Sequence, residues 1–310
     1  MPFFVSCALG LAALGQPALT GPPGAPHRPP TVVLFVGNSF FHGEFKPVLT
    51  YNAAAITDEN YQPNRSAPRR PQQHSDEPWG GVPGIFKRLT DEAGLNYEVH
   101  LEAASGYTLQ FHYDSARVLI GQPRWDKVVL HEQSTRPLPT RHGGQPARFF
   151  EDATRLEQAV HRANPAARVY LCQTWARADL TFPANQPYTG LPLDSMTREL
   201  HAAYYQQAVR NGHFAAVAPV GDAWLRAVRQ GVALANPYAP ETGKVDLWAS
   251  DYFHPSRYGA YLSACVLVET IAGYDARRLG PHETAAAELG IAPAVAAQLQ
   301  ALAHEQVRQR

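Results

Sequence analysis

Two short segments near opposite ends of this chain carry the residue types of a serine-nucleophile triad. GNSF at 37–40 follows an apolar run, and DYFHP at 251–255 precedes the last long helical pattern. A histidine can take the proton of a serine hydroxyl, and an aspartate beside the imidazole fixes its tautomer and stabilises the imidazolium. Because Asp251 lies three residues before His254, the two can meet within one turn. The pattern predicts Ser39 as nucleophile, His254 as base and then acid, and Asp251 as the carboxylate that orients it.

Strand-like apolar runs alternate with helical patterns along the chain. Candidate strands cover 32–37, 97–103, 127–132, 168–174 and 214–218, and candidate helices cover 82–94, 108–120, 148–163, 194–211, 219–230 and 256–272. This alternation predicts an α/β fold with a parallel sheet and right-handed crossovers. A helix that begins near Ser39, directly after the first strand, would present the hydroxyl at the carboxyl end of the sheet, where α/β enzymes place their chemistry.

The order of the two segments differs from that of α/β-hydrolases, whose nucleophile lies mid-chain in Gly-x-Ser-x-Gly. A serine in a GxS turn near the N-terminus with a C-terminal DxxH resembles the SGNH/GDSL hydrolase superfamily, and the details resemble an uncharacterised bacterial branch with a GNSF block. "LFVGNSFFHG" would be the nucleophile block and "SDYFHPSRYGAYLSACVLVETIAG" the Asp-His block. The resemblance covers residues 31–275. It implies a three-layer sandwich with a five-stranded parallel sheet in flavodoxin-like order.

The resemblance also implies which groups stabilise the oxyanion. In the family, the backbone N–H groups of the nucleophile and of a glycine between a strand and a helix donate to it, and these positions correspond to Ser39 and to Gly106 in "LEAASGYTLQFHY". The third block of the family, Gly-x-Asn-Asp, corresponds by position to HEQS at 131–134, so Gln133 replaces the asparagine and the glycine is missing. A longer carboxamide still offers an N–H donor, although its reach differs.

The substrate pocket is expected around these blocks. Its candidate lining residues are Asn38, Phe40, His131, Glu132 and Trp175. An irregular insertion at 46–81, rich in Pro, Asn and Arg, leaves the sheet shortly after the nucleophile and is expected over the active-site mouth. Disorder in its centre is the alternative.

Composition and charge are consistent with one enzyme domain. The chain has 310 residues, is 45% hydrophobic, and balances 27 basic against 27 acidic residues. Without a dense basic run, nucleic acid and anionic membrane surfaces are poor partners. We assign 1–30 to a leader, 31–280 to the hydrolase domain and 281–310 to a C-terminal amphipathic helix packed on it. Cys172 and Cys265 are expected to be buried and unpaired.

The first 30 residues combine a short apolar stretch with a Pro/Gly-rich spacer. The apolar stretch is too short to span a bilayer and is typical of a signal peptide, although the basic n-region is missing. Secretion or export to the periplasm is therefore expected, with a cytoplasmic location as the alternative. The oligomeric state is not determined by the sequence.

These observations predict a serine esterase that hydrolyses a small-molecule or polysaccharide ester, with a short acyl group such as acetyl, through an acyl-enzyme on Ser39. The mechanism requires no metal and no cofactor. Two alternatives stay open: a catalytically silent carbohydrate-binding or scaffold protein that kept the fold, and an acyltransferase, because water and an alcohol attack the same intermediate.

Overall fold

The computed structural model describes residues 1–3, 29–61 and 77–309. Most of the predicted leader and the centre of the 46–81 insertion lie outside these residues. The strands are β1 Thr31–Gly37, β2 Thr57–Asp58, β3 Tyr97–Ala103, β4 Lys127–Leu130, β5 Arg168–Cys172 and β6 Ala216–Ala218. The helices are α1 Ser39–His42, α2 Gly81–Glu92, α3 Leu109–Ile120, α4 Pro146–Ala163, α5 Leu193–Asn211, α6 Val220–Arg229, α7 Arg257–Leu267, α8 Thr284–Glu288 and α9 Pro293–Arg308.

All strand pairs in the sheet are parallel, and the strand order is β2-β3-β1-β4-β5-β6. The prediction of five strands was therefore wrong by one. The additional strand, β2, pairs with the outer side of β3 and is only two residues long, too short to give an alternating pattern in the sequence. The five longer strands follow the order 2-1-3-4-5 when numbered alone, which is the flavodoxin-like order.

The central strand β1 is buried on both faces. Val33 and Phe35 belong to the core that contains α2, α6, α7 and α9, whereas Leu34 and Val36 belong to the core under α3, α4 and α5. Helices on both faces explain the continuous apolar run, because a strand covered on both sides has no polar face to alternate with. The sheet therefore forms the middle layer of three.

The C-terminal segment contains two helices where one was predicted. α8 ends at Glu288, and Pro293 occupies the first turn of α9, which packs against α6 and α7. Proline fits the first turn of a helix, because the N–H it lacks would have no partner there. The domain division stays a prediction.

Two further predictions concern cysteines and membranes. Cys172 and Cys265 are buried and unpaired, as expected, and burial raises the pKa of both thiols. Among the residues that the structure describes, no helix is both long and apolar enough to cross a bilayer.

Candidate active site

Ser39 begins α1 at the carboxyl end of β1. The side chain of Asn38 caps this short helix by accepting a hydrogen bond from the N–H of Phe40 at 3.2 Å. A Cβ on Gly37 would lie 2.9 Å from the ring of Phe41 and 3.0 Å from the Cβ of His131, so only glycine fits there without a shift. This tight strand-to-helix turn holds the serine hydroxyl at the edge of the sheet.

Asp251 and His254 meet within one turn. Oδ1 of Asp251 accepts hydrogen bonds from the backbone N–H of Phe253 at 3.2 Å and of His254 at 3.1 Å, and Oδ2 lies 2.6 Å from Nδ1 of the His254 ring. Tyr252, inside the turn, has φ +67°. The sequence spacing alone therefore builds the acid–imidazole pair, since every one of these bonds lies within residues 251–254.

The fold brings this pair to Ser39, 215 residues away in the chain, with Nε2 of His254 2.7 Å from Oγ of Ser39. With the proton of Nδ1 directed at the carboxylate, Nε2 is the acceptor for the serine hydroxyl. Ser39 and His254 are each only 6% exposed. Serine, histidine and aspartate thus form one continuous chain of hydrogen bonds.

The carboxylate of Asp251 is held in its charged form. Burial alone would raise its pKa, but the hydrogen bond and charge of His254 and the two backbone N–H groups together lower it below its ordinary value. An ionised carboxylate beside Nδ1 favours the imidazole tautomer that can accept the proton of Ser39.

Contacts from the loop after β5 hold the His254 turn in place. Nε1 of Trp175 donates to the carbonyl of Phe253 at 3.0 Å, and the N–H of Ala178 donates to the carbonyl of Tyr252 at 3.1 Å. The side chain of Ser256 caps α7 immediately after the turn. These anchors fix the position of the imidazole relative to β1.

Gly106 lies in the turn between β3 and α3, with φ +75°, a conformation that favours glycine. Nδ2 of Asn38 donates to the carbonyl of Tyr107 at 3.2 Å and so joins this turn to the nucleophile turn. Among the described residues, neither the N–H of Gly106 nor that of Ser39 donates to another backbone group. Within the described parts of the chain, both N–H groups are therefore available to a ligand.

The hydrogen bonds of the Gln133 side chain stay within its own turn. Its Oε1 accepts from the N–H and the hydroxyl of Thr135, both at 3.1 Å, and from the N–H of Arg136 at 3.0 Å. Its Nε2 lies 3.4 Å from Oγ of Ser134. The carboxamide is therefore a turn cap, and its role as third oxyanion donor stays a prediction.

Two predicted pocket residues, His131 and Glu132, are completely covered. Oε1 of Glu132 accepts from the N–H of Leu109 at 3.1 Å and from the N–H of Gln133 at 2.7 Å, and burial raises its pKa to about 7. Burial lowers the pKa of His131 to about 3, so its ring is neutral. Each is at most 1% exposed, and their place in the pocket lining stays a prediction. Glu132 binds the turn after β3 to the turn after β4.

The other three predicted pocket residues, Asn38, Phe40 and Trp175, are also at most 3% exposed. The ring of Trp175 is stacked between those of Phe40 and Trp224, at centroid distances of 4.1 and 4.3 Å. Their assignment to the substrate pocket stays a prediction. They form the packed support beneath the nucleophile and the His254 turn.

Two charged residues near the triad were not found from the sequence. Glu44 lies on the segment after α1, and its Oε2 is 3.9 Å from Nε2 of His254. The guanidinium of Arg177 lies 4.3 Å over the ring of Phe253 and donates to Oγ of Ser134 at 3.2 Å. Neither belongs to a spacing pattern; Glu44 offered only its closeness to Ser39 in the chain as a signal.

One cluster of metal-ligand side chains, Glu269, Asp275 and His304, exists among the described residues. Nδ1 of His304 lies 3.0 Å from Glu269, and the guanidinium of Arg277 binds Asp275 at 2.8 Å. Because Arg277 already pairs with Asp275, the cluster fits an ion-pair network between α9 and the turn after α7 better than a cation site.

No protein-family model matches this chain, and no curated protein is significantly similar to it in sequence. Solved structures do resemble it. A DUF4886 family protein from Bacteroides uniformis matches with TM-score 0.57 at 15% identity, over 89% of this chain and 94% of that one. A protein assigned as a GDSL-like lipase, from Parabacteroides merdae, matches with TM-score 0.50 at 15% identity, over 79% and 97%. The chain thus has an SGNH hydrolase-like α/β fold with a parallel sheet.

Proposed function

We propose that the protein is a serine esterase. The observation that carries this proposal is the continuous chain of hydrogen bonds from Oδ2 of Asp251 through the ring of His254 to Oγ of Ser39. A buried serine that donates to a carboxylate-oriented imidazole is the arrangement needed to make a hydroxyl nucleophilic at neutral pH. The N–H groups of Ser39 and Gly106, which donate to no backbone group among the described residues, support the same assignment.

In the proposed mechanism, Oγ of Ser39 attacks the ester carbonyl carbon while its proton passes to Nε2 of His254. The oxyanion is stabilised by the N–H groups of Ser39 and Gly106, with the amide of Gln133 as the proposed third donor. The imidazolium then gives its proton to the departing alcohol, and an acyl group remains on Ser39. Water attacks this acyl-enzyme with His254 as base and releases the acid. The scheme needs no metal or cofactor.

We further propose a short acyl group, such as acetyl, carried by a carbohydrate or another small polar alcohol. The packing of the Phe40 and Trp175 rings is the observation that favours a short acyl group. The two rings are stacked on each other and buried, and Phe40 directly follows Ser39 in the chain, so we take their packing as the limit on the length of the acyl group.

The direct test is hydrolysis of p-nitrophenyl acetate and butyrate by the wild type and by Ser39→Ala, with a fluorophosphonate probe to label the nucleophile. We expect the substitution to abolish both turnover and labelling. Ser115→Ala, on the exposed side of α3, is the matched control and should keep both. Equal turnover by wild type and Ser39→Ala would remove the mechanism.

A second candidate, a catalytically silent carbohydrate-binding protein, is favoured by one observation. Oε1 of Gln133 is bound within its own turn, and Nε2 lies 3.4 Å from Oγ of Ser134; in this candidate the amide stays there and the oxyanion site has only two backbone donors. This candidate predicts no labelling of Ser39 but saturable binding of oligosaccharides in calorimetry. An acyltransferase would share the labelling and differ in product: an added alcohol acceptor would appear as a new ester.

We also propose that the protein acts outside the cytoplasm, in the periplasm or after secretion. Fractionation of cells that express the complete chain, with detection at the C-terminus, tests this location. Recovery in the cytoplasmic fraction at full length would contradict it.

A further inference from the structure

A second carboxylate lies beside the imidazole of His254. Asp251 contacts Nδ1, whereas Oε2 of Glu44 lies 3.9 Å from Nε2, the nitrogen that also contacts Ser39. The Glu44 side chain is 17% exposed, so part of it reaches solvent. The nucleophile and this second carboxylate therefore share the side of the ring on which proton transfer takes place.

The chemistry at Nε2 defines what must come close to Glu44. The oxygen of the leaving alcohol takes its proton from Nε2, so it has to approach this nitrogen to about 3 Å. A hydroxyl on the carbon next to the esterified one lies about one hydrogen-bond length from the leaving oxygen. A carboxylate that is 3.9 Å from Nε2 can therefore reach it. Two carboxylate oxygens offer about four acceptor sites, so Glu44 can accept this hydroxyl in addition to any bond it already makes.

We propose that Glu44 forms the subsite for the leaving alcohol. It selects neutral alcohols that carry a hydroxyl on the carbon next to the esterified one, such as sugars and polyols. The inference rests on the proposed esterase function and names the alcohol side of its substrate. Glu44 accepts a hydrogen bond from the adjacent hydroxyl and repels alcohols that carry an anionic group at the same place.

The two effects have different origins and separate magnitudes. A hydroxyl that donates to a charged acceptor improves recognition by about tenfold or more. Like charges about 5 Å apart, at an effective dielectric constant of about 20, repel strongly enough to weaken recognition by roughly 10- to 100-fold once solvent screening is included. Substitutions at Glu44 can therefore remove the repulsion alone or both effects together.

Three acetate esters that differ only in the alcohol form the test: ethyl acetate, 2-hydroxyethyl acetate and acetoxyacetate. They present a methyl, a hydroxymethyl and a carboxylate next to the same esterified carbon. Ratios of kcat/KM between esters are compared among wild type, Glu44→Gln and Glu44→Leu. Glu151→Leu on α4 serves as the control, because it changes the net charge equally and its carboxylate pairs with Arg148 on the exposed surface of the same helix.

We expect Glu44→Leu to lower the ratio of 2-hydroxyethyl acetate to ethyl acetate by about tenfold and to raise the ratio of acetoxyacetate to ethyl acetate by a similar factor. Glu44→Gln should keep most of the ratio of 2-hydroxyethyl acetate to ethyl acetate, because its amide oxygen still accepts a hydrogen bond. It should raise the ratio of acetoxyacetate to ethyl acetate, because its charge is gone. Glu151→Leu should leave both ratios as in the wild type.

Unchanged ratios in Glu44→Leu would overturn the proposal. So would an equal loss on all three esters with a shifted acid limb of the pH profile, which would mean that Glu44 acts only on the charge of His254. A wild type that hydrolyses none of the esters and is not labelled at Ser39 would overturn the esterase function, and this subsite with it.

Discussion

Asp251→Asn separates the charge of the orienting group from its shape. Asparagine keeps an oxygen that can accept the two backbone N–H bonds now made by Oδ1, so the turn should fold unchanged. Its amide N–H₂ would then face Nδ1 of His254, where Oδ2 now accepts at 2.6 Å. Two donors cannot share this bond. The ring must therefore carry its proton on Nε2, and Nε2 can no longer accept the proton of Ser39.

The expected loss has two parts. Asp251 is 23% exposed at its side chain, and its charge stabilises an imidazolium about 4 Å away by about 2–4 kcal/mol at an effective dielectric constant near 20. This alone corresponds to roughly 30- to 900-fold in kcat, and the wrong tautomer raises the expected loss to about 10³- to 10⁴-fold. KM should change little, because the alcohol and acyl groups do not contact this carboxylate in the proposed mechanism.

The assay is the kcat of p-nitrophenyl acetate hydrolysis across pH, with an unfolding curve to show that the variant is folded. Asp194→Asn on α5 is the matched control, because its side chain is also 23% exposed and ion-paired, with Arg198 and Arg229. A folded Asp251→Asn protein that keeps more than about a tenth of the wild-type kcat would refute the assigned role of Asp251.

Three further substitutions test other parts of the site. Burial raises the pKa of Glu132 from 4.5 to about 7, so the folded state binds a proton that the unfolded state releases, and stability from this group falls as pH rises between these values. The pKa of His131 is lowered from 6.5 to about 3, so this residue makes stability rise with pH over part of the same range. The effect of Glu132 is therefore measured as the difference between Glu132→Gln and wild type in urea unfolding at pH 5 and pH 7.5. The variant should lose less stability than wild type across this interval, and parallel curves would contradict the assignment. Gln133→Ala should lower the free energy of unfolding by about 1–3 kcal/mol, because three donors lose their acceptor, and a fall in kcat of about 10²-fold or more would also identify the side chain as an oxyanion donor. Trp175→Phe keeps an aromatic ring in the stack but removes the hydrogen bond to the Phe253 carbonyl; we expect kcat to fall at unchanged KM in steady-state assays, and an unaltered kcat would show that this bond does not position His254.

The sequence predicted the layered α/β fold well because β1 is an apolar run covered on both faces and the helices around it follow amphipathic spacing. It missed β2, whose two residues carry no period and pair with β3 only because the chain before α2 passes along that edge. It also placed the start of the C-terminal helix too early, since Pro293 separates two helices in a segment of nearly uniform alanine content.

Within the candidate site, some features follow from residues close together in the chain, whereas others depend on contacts between distant segments. The Asp251–His254 pair could be predicted because its bonds lie within four residues. Gly106 was nominated from the resemblance, by its place between a strand-like and a helical run, and its φ of +75° favours glycine. The burial of the predicted pocket residues could not be foreseen, because closeness in sequence to a reactive residue says nothing about which side of the backbone a side chain occupies. Trp175 and Glu132 both follow strands, yet each is turned inward to a bond with a neighbouring turn.

The sequence by itself determined the residue types of the triad, the acid–imidazole turn and the alternation that builds a parallel sheet. These depend on contacts between near neighbours in the chain and on the burial of regular patterns. Only the tertiary structure decided that His254 meets Ser39 from 215 residues away and that Glu44 lies beside Nε2. Such contacts join segments whose separation is set by the packing of whole helices on the sheet, and no local spacing encodes that distance.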